Sequence, residues 1–327
     1  MLTRRRRWTV AAAVLAAAAL APALALHAAF RHDLTQAAAR AASGSRVLDT
    51  RCGPIEVQEA GAGLPLLMIH GSGGGHDQGM DFARPLTQHG IRVIAVSRFG
   101  YLRTPRPADA SPEAQADAHV CVLDALGLPR AAVLGASAGA PSALQAAIRH
   151  PERVSALVLV VPIVHKPGAV AGSAPPVSDA QDARLLRLLG SDLLVWSALH
   201  LARDAFFAQV LATPPALIHA ADARERARAH AMAEHVLPVS LRAAGLADDT
   251  RLGKGLQPYP LERIRAPTLA ISARDDGFGT FAGAQYIASR IPAARFIDYD
   301  TGGHLLIGHG EKVRAEIVAW LRAYDGQ

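Results

Sequence analysis

The 327-residue chain is half hydrophobic and only 19% charged, which excludes wholesale disorder and leaves enough apolar sequence for one large α/β domain, with or without an inserted subdomain. The formal net charge of +6 looks basic until it is located, because Arg4, Arg5, Arg6 and Arg7 carry most of it. Aromatics make up 5% of the chain and no basic stripe interleaves with them, so nucleic-acid binding is disfavoured.

The arginine cluster precedes residues 8–26, an uncharged run dominated by Ala, Leu and Val. A basic head before an apolar body describes a signal peptide or an N-terminal membrane anchor over residues 1–30. Pro22-Ala23-Leu24-Ala25 offers the small-x-small pattern of a cleavage site, whereas the length of the run reaches the lower range for crossing a bilayer. The adjacent arginines also faintly resemble a twin-arginine signal. Both alternatives place the body of the protein outside the cytoplasm, periplasmic or membrane-anchored. Residues 31–45, alanine-rich and ending in Ser-Gly-Ser, read as a helical stalk or linker. Cys52 and Cys121 show neither metal-ligand spacing nor a disulfide framework, and Cys121 reads as a small core residue in an apolar helix.

Two short strands are expected over 46–50 and 54–58, joined by a Cys52-Gly53 turn. The continuous apolar run 64–69 suits a strand buried on both faces of a parallel sheet and ends in His70-Gly71-Ser72-Gly73-Gly74-Gly75. A helix over 77–88 and another buried strand over 91–96 follow. Ser111-Pro112-Glu113 supplies an N-cap and a first-turn proline for a helix that runs to Leu126 and stops at Gly127. The strand ending at Leu134 leads into Gly135-Ala136-Ser137-Ala138-Gly139 and a helix to His150. That is strand, sharp turn and helix with a serine at the bend, the setting of a nucleophile elbow. Its glycines clear space where strand and helix nearly touch and let Ser137 adopt a strained backbone.

After a strand over 155–161 the βα alternation breaks. Residues 162–265 hold helical stretches (180–189, 193–211, 220–235) and no clear β run. The rhythm resumes with a strand over 267–272, a helix over 282–290, a strand over 295–299 and a last helix over 311–324. The fold expected is α/β, a doubly wound, mostly parallel sheet from 46–161 and 266–327 with an inserted helical cap over 162–265.

Three features fall at the carboxyl ends of predicted strands, where open α/β sheets place their sites: Ser137, then Asp275-Asp276, then Gly302-Gly303-His304. From residue 46 to 324 this chain resembles the α/β-hydrolase superfamily, in which the nucleophile, acid and histidine occur in that chain order. The resemblance rests on the early His-Gly loop, the Gly-x-Ser-x-Gly elbow, an acid after a late strand and a Gly-His near the end. It implies Ser137 as nucleophile, His304 as base and Asp276 as the acid that orients the histidine, with Asp275 the open alternative because one residue of loop register separates them. His304 outranks His309, which lies at the threshold of the last helix. The backbone N–H groups of Ser72 and Ala138 would form the oxyanion hole. His70 is expected to serve the structure of its loop.

The family pattern is broken after the strand over 91–96, where Ser97-Arg98-Phe99-Gly100-Tyr101-Leu102-Arg103-Thr104 stands in place of Asp-x-Pro-Gly-x-Gly-x-Ser. That concerns pocket shape, and Arg98 is either a substrate-carboxylate partner or, more ordinarily, a solvated or salt-bridged residue. Serine at the elbow argues against the relatives that use aspartate there. The resemblance thus implies acyl-serine hydrolysis of a small apolar ester or related acyl substrate, without metal or other cofactor. The alternatives are carbon–carbon bond hydrolysis of the meta-cleavage-product type, or a non-catalytic binding protein on the same fold. Within the insertion, Trp196, Phe206 and Phe207 either roof an apolar pocket or pack the cap's own helices. No residue pattern speaks to oligomeric state.

Overall fold

A computed structural model describes residues 4–165, 188, 190–253 and 255–324, with side chains from residue 20 onward. Eight strands form one sheet: β1 (Ser45–Thr50), β2 (Gly53–Ala60), β3 (Leu64–Ile69), β4 (Ile91–Val96), β5 (Ala131–Ala136), β6 (Val154–Val160), β7 (Thr268–Ala273) and β8 (Arg295–Tyr299). Their order is β1-β2-β4-β3-β5-β6-β7-β8. β1 and β2 pair antiparallel, β2 meets β4 antiparallel, and every pairing from β4 to β8 is parallel.

The period-2 alternation of side chains sorts the strand residues onto two faces. Leu67, Ile69, Ile94, Val133 and Leu157 face one layer of core, against Ala116 and Val122 of one helix, Leu144 of another and Ile287 of a third. Leu66, Met68, Val93, Leu134, Val158 and Ile271 face the opposite layer, with Met80, Val313, Ile317 and Leu321. Burying one such aliphatic side chain contributes roughly 1.5–3 kcal/mol, so two filled faces require helices on both. These are α2 (His76–Ala83), α3 (Pro112–Ala125), α4 (Ala140–Arg149) and, after β7 and β8, α10 (Thr280–Arg290) and α11 (Gly310–Ala323), whereas α1 (Arg4–Ala42) packs on the insertion between β6 and β7. The helix expected over 77–88 ends at Ala83 and continues as a 3-10 turn, Arg84–His89, because Pro85 removes a helix donor.

Between β6 and β7 lie α5 (Asp192–Leu201), α6 (Arg203–Gln209), α7 (Pro215–Ala220), α8 (Ala223–Glu234) and α9 (Ala243–Gly253). The helix expected over 180–189 falls almost wholly outside the described residues. Trp196, Phe206 and Phe207 pack with Leu199, Ile218 and Leu237 in a separate core of this insertion.

One expectation changes at the amino-terminal side. Residues 31–42 are helical as expected, continue α1 and pack against the insertion: Ala37 and Ala41 are buried, Trp196 Nε1 donates to Asp33 (2.9 Å), and Arg40 reaches the Glu234 carbonyl (3.2 Å). Cys52 and Cys121 form a disulfide that ties the β1–β2 turn to α3. Sequence separation hid the pair, since only β1 docking on α3 brings the two together. Among the described residues, no helix is long and apolar enough to cross a membrane.

Candidate active site

Ser137 sits at the end of β5 with φ of 50°, in the left-handed region that a residue with a side chain enters only under constraint. The constraint is steric. A Cβ on Gly135 would lie 2.7 Å from Ala143 Cβ, and one on Gly139 would lie 2.6 Å from the carbonyl oxygens of both Ile69 and His70. The first glycine therefore lets α4 fold back on β5, and the second lets the bend press against the end of β3. Pro141 fills a first-turn position of α4, where no donor is needed.

His304 reaches this serine from the loop after β8. Its Nε2 lies 2.9 Å from Ser137 Oγ and its Nδ1 lies 2.8 Å from Asp276 Oδ2. The Asp276 carboxylate, 5% exposed, accepts further hydrogen bonds from Phe278 N–H (2.8 Å, to Oδ1) and from the Thr280 hydroxyl. Burial alone would raise the Asp276 carboxyl, but the hydrogen bond and charge of His304, with Thr280 and the Phe278 amide, outweigh it and hold it below the ordinary 3.8. A base placed between a hydroxyl and a charged carboxylate can accept the hydroxyl proton, and the carboxylate fixes which ring nitrogen is free to do so. Phe278 packs edge-on against the imidazole, with ring centroids 4.8 Å apart.

The neighbouring carboxylate has different work. Asp275 accepts from Gly302 N–H (3.2 Å) and Gly303 N–H (2.8 Å), bracing the turn that carries His304. His309 stays away from Ser137: its Nε2 donates to the Thr301 carbonyl (2.9 Å) and its ring stacks on Tyr299. His70 is fully buried, donates from Nδ1 to the Gly71 carbonyl (2.6 Å) and accepts from Arg98 N–H at Nε2 (3.0 Å). Burial and then the Arg98 charge hold its pKa well below 6.5, so it is neutral and structural. Gly71 lies beside the serine, where an added Cβ would come within 3.1 Å of Ser137 Cβ. That places the Ser72 peptide, which follows Gly71, next to the bend.

Ala138 lines a cavity of about 370 Å³ between α3, α4 and α9. Phe99, Ala110, Pro112 and Leu252 make its apolar wall, and Arg98, Arg106, Gln115, Ser142 and Asp248 its polar one. Arg98 is a salt-bridged residue, forked onto Asp249 of α9 (2.7 and 2.5 Å). The departures from pattern in the 97–104 loop have partners of the same kind. Leu102 N–H donates to the Leu241 carbonyl (2.8 Å) and Gly245 N–H donates to the Gly100 carbonyl (3.0 Å), while Arg103 Nε anchors the loop to Glu56 of β2 in the core (2.6 Å). The loop is built to seat the insertion. Thr280, Tyr101, Asp249 and Arg242 were not singled out from the sequence; only the four-residue spacing of Asp276 and Thr280 across a helix start could have drawn attention to one of them.

A serine held at a strand-to-helix bend on the carboxyl edge of a doubly wound sheet places the molecule among α/β proteins of the elbow type. The chain belongs to the alpha/beta hydrolase fold family, whose family model matches residues 65–310. It is 40% identical over 146 residues to 2-hydroxymuconate semialdehyde hydrolase of Pseudomonas sp. strain CF600, a match covering 42% of this chain and 51% of that protein. The chain thus spans about half the length of that curated relative. It is 28% identical over 259 residues to a 2-hydroxy-6-oxononadienedioate/2-hydroxy-6-oxononatrienedioate hydrolase of Cupriavidus pinatubonensis, covering 76% of this chain and 84% of that one. Among solved structures it is similar to an alpha/beta hydrolase fold protein from Nakamurella multipartita, with a TM-score of 0.66, 29% identity, and coverage of 85% of this chain and 99% of the other.

Proposed function

We propose that the protein is a serine hydrolase that cleaves a small ester or related acyl compound through an acyl-enzyme on Ser137. The observation that carries this reading is the single imidazole of His304 set between Ser137 Oγ (2.9 Å) and Asp276 Oδ2 (2.8 Å). Ser137 attacks the substrate carbonyl as His304 Nε2 takes the hydroxyl proton. Asp276 holds the Nδ1–H tautomer and stabilises the imidazolium, and the N–H groups of Ser72 and Ala138 receive the developing oxyanion. His304 then protonates the leaving group, and water releases the acid by the same route in reverse.

Labelling with a fluorophosphonate probe tests the nucleophile: wild type is expected to react and Ser137→Ala to stay unlabelled. Labelling that survives the substitution overturns the assignment. A second reading, hydrolysis of a carbon–carbon bond in a meta-cleavage dienone, is favoured by the names of the relatives just given. Assay of a short p-nitrophenyl ester against such a dienone separates the two, turnover of the dienone alone supporting the second.

The location we propose is outside the cytoplasm. The Cys52–Cys121 disulfide supports it, since such bonds persist in oxidising compartments and are rare among cytosolic proteins. Alkylation of the protein in fractionated cells, with and without prior reduction, checks this. Two thiols that react before reduction, in the cytosolic fraction, would refute it.

A further inference from the structure

Two buried arginine–carboxylate pairs cross the seam between core and insertion in opposite directions. Arg98 of the core forks onto Asp249 of α9, Nη1 to Oδ1 at 2.7 Å and Nη2 to Oδ2 at 2.5 Å. Arg242, just before α9, forks onto Asp77 of α2, Nη1 to Oδ1 at 3.0 Å and Nη2 to Oδ2 at 2.6 Å. Desolvation offsets most of the attraction in such pairs, so stability alone is a poor reason for two of them in one seam.

Their third hydrogen bonds supply a better one. Arg98 Nη2 donates to the Gly71 carbonyl (3.2 Å), and Arg242 Nη1 donates to the Gly74 carbonyl (2.6 Å). Both carbonyls belong to the glycine loop beside Ser137. The Gly71 oxygen also accepts from His70 Nδ1–H (2.6 Å) and Gly74 N–H (3.3 Å). Tyr101 closes the network, donating its hydroxyl proton to Asp249 Oδ2 (2.5 Å) while accepting from Gly73 N–H (3.3 Å). In a trans peptide the carbonyl and the following N–H point in opposite directions. Three donors that pin the Gly71 oxygen therefore also fix the direction of the Ser72 N–H.

We propose that Asp249 and Arg98 are positioning residues for the oxyanion hole: Asp249 holds Arg98 on the Gly71 carbonyl, which keeps the Ser72 N–H aimed at the oxyanion only while the insertion is seated. The proposal rests on the serine-hydrolase reading above. No bond forms or breaks at either side chain. Their effect is confined to the step in which negative charge gathers on the substrate oxygen, and ground-state binding is left alone.

The test uses the full chain with the paired replacement Arg98→Met/Asp249→Leu, which leaves neither charge buried alone. Asp249→Asn, which keeps the side-chain shape, serves as a second variant should the pair fail to fold. Turnover of p-nitrophenyl acetate and the affinity of phenylboronic acid are measured beside the melting temperature. A boronate adduct on serine puts an oxygen in the oxyanion position, which a substrate ground state does not. Loss of a whole oxyanion donor costs about 10²–10³ in kcat, and a misdirected one is expected to lower kcat about 10- to 100-fold. Boronate affinity should fall by a similar factor with KM within about twofold, and Asp249→Asn should lie between wild type and the pair. A merely structural bracket would lower the melting temperature and leave kcat and boronate affinity of the folded protein within about twofold, which overturns the proposal. Wild type that neither turns over the ester nor labels at Ser137 overturns the hydrolase reading and this proposal with it. Labelled wild type beside variants of unchanged kcat overturns this proposal alone.

Discussion

Asp275 and Asp276 differ by one position in the chain and by the whole of their chemistry. Asp276 faces His304 Nδ1 at 2.8 Å, whereas Asp275 takes the Gly302 and Gly303 amides and never touches the imidazole. Replacing Asp276 by Asn leaves a hydrogen-bonding side chain that can donate to the ring and so favour the wrong tautomer. A change of that kind in a serine protease triad lowers kcat by roughly 10⁴, and Asp276→Asn is expected to lose about 10³- to 10⁴-fold here. Asp275→Asn keeps one acceptor for the two amides and is expected to lose about tenfold or less, together with some thermal stability. Steady-state kinetics of the two variants on one ester decide the matter; an equal loss, or the reverse order, would remove Asp276 from its proposed role. Thr280 fits the same account, its hydroxyl donating to Asp276 and keeping the carboxylate pointed at the ring.

At the scale of elements, whatever repeats locally could be read in advance and whatever depends on docking could not. The short apolar runs at 64–69, 91–96 and 131–134 are of strand length and suit strands buried on both faces of a parallel sheet, and each is a strand in the structure. Ser137 and His304 stand at strand ends for the same reason, fixed by the order of elements rather than by contacts. The 97–104 loop is the opposite case. Arg98, Gly100 and Tyr101 make sense only against Asp249 and Gly245, which lie more than a hundred positions along the chain and on another layer. Gly245 must be glycine there, since an added Cβ would meet the Tyr101 ring at 2.1 Å. Pairing of this kind leaves no local period, so one sequence shows a broken motif where the fold has a socket. Cys52 and Cys121 follow the same logic, their bond set by how β1 lies on α3. The packing of residues 31–42 on the insertion, with Trp196 donating to Asp33, leaves no local period either.

For the molecule as a whole, the two sheet faces make the core robust, and its weakness lies in acid. His70 and His119 are both buried and neutral. His119 sits with Nε2 3.1 Å from Ser142 Oγ, and burial, helped by the Arg98 charge, pushes its pKa down to about 3. An unfolded histidine titrates near 6.5. Above that pH neither state binds the proton, so stability is at its full value. Below it the unfolded chain takes up a proton that the folded chain refuses, and stability falls until the pH reaches the folded pKa. Each such histidine removes about 1.4 kcal/mol per pH unit across that window. His119 alone, between pH 6.5 and 4.5, accounts for on the order of 3 kcal/mol, a large share of the entire stability of many domains, and His70 acts in the same direction. Carboxylates enter later. Burial alone would raise the Asp77 carboxyl, but its bonds to Arg242 with the nearby His76 charge hold it below 3.8, so its contribution is lost only as the pH drops under that value. The acid limit is therefore set by histidines, before the Asp77 carboxylate is neutralised. Urea unfolding of wild type and His119→Gln at pH 7.5, 6.5, 5.5 and 4.5 tests this. The variant, which keeps a partner for Ser142 without a titrating ring, is expected to lose stability with a slope one proton shallower below pH 6.5. Parallel slopes for the two proteins would show that His119 is protonated in the folded state and that the acid weakness lies elsewhere.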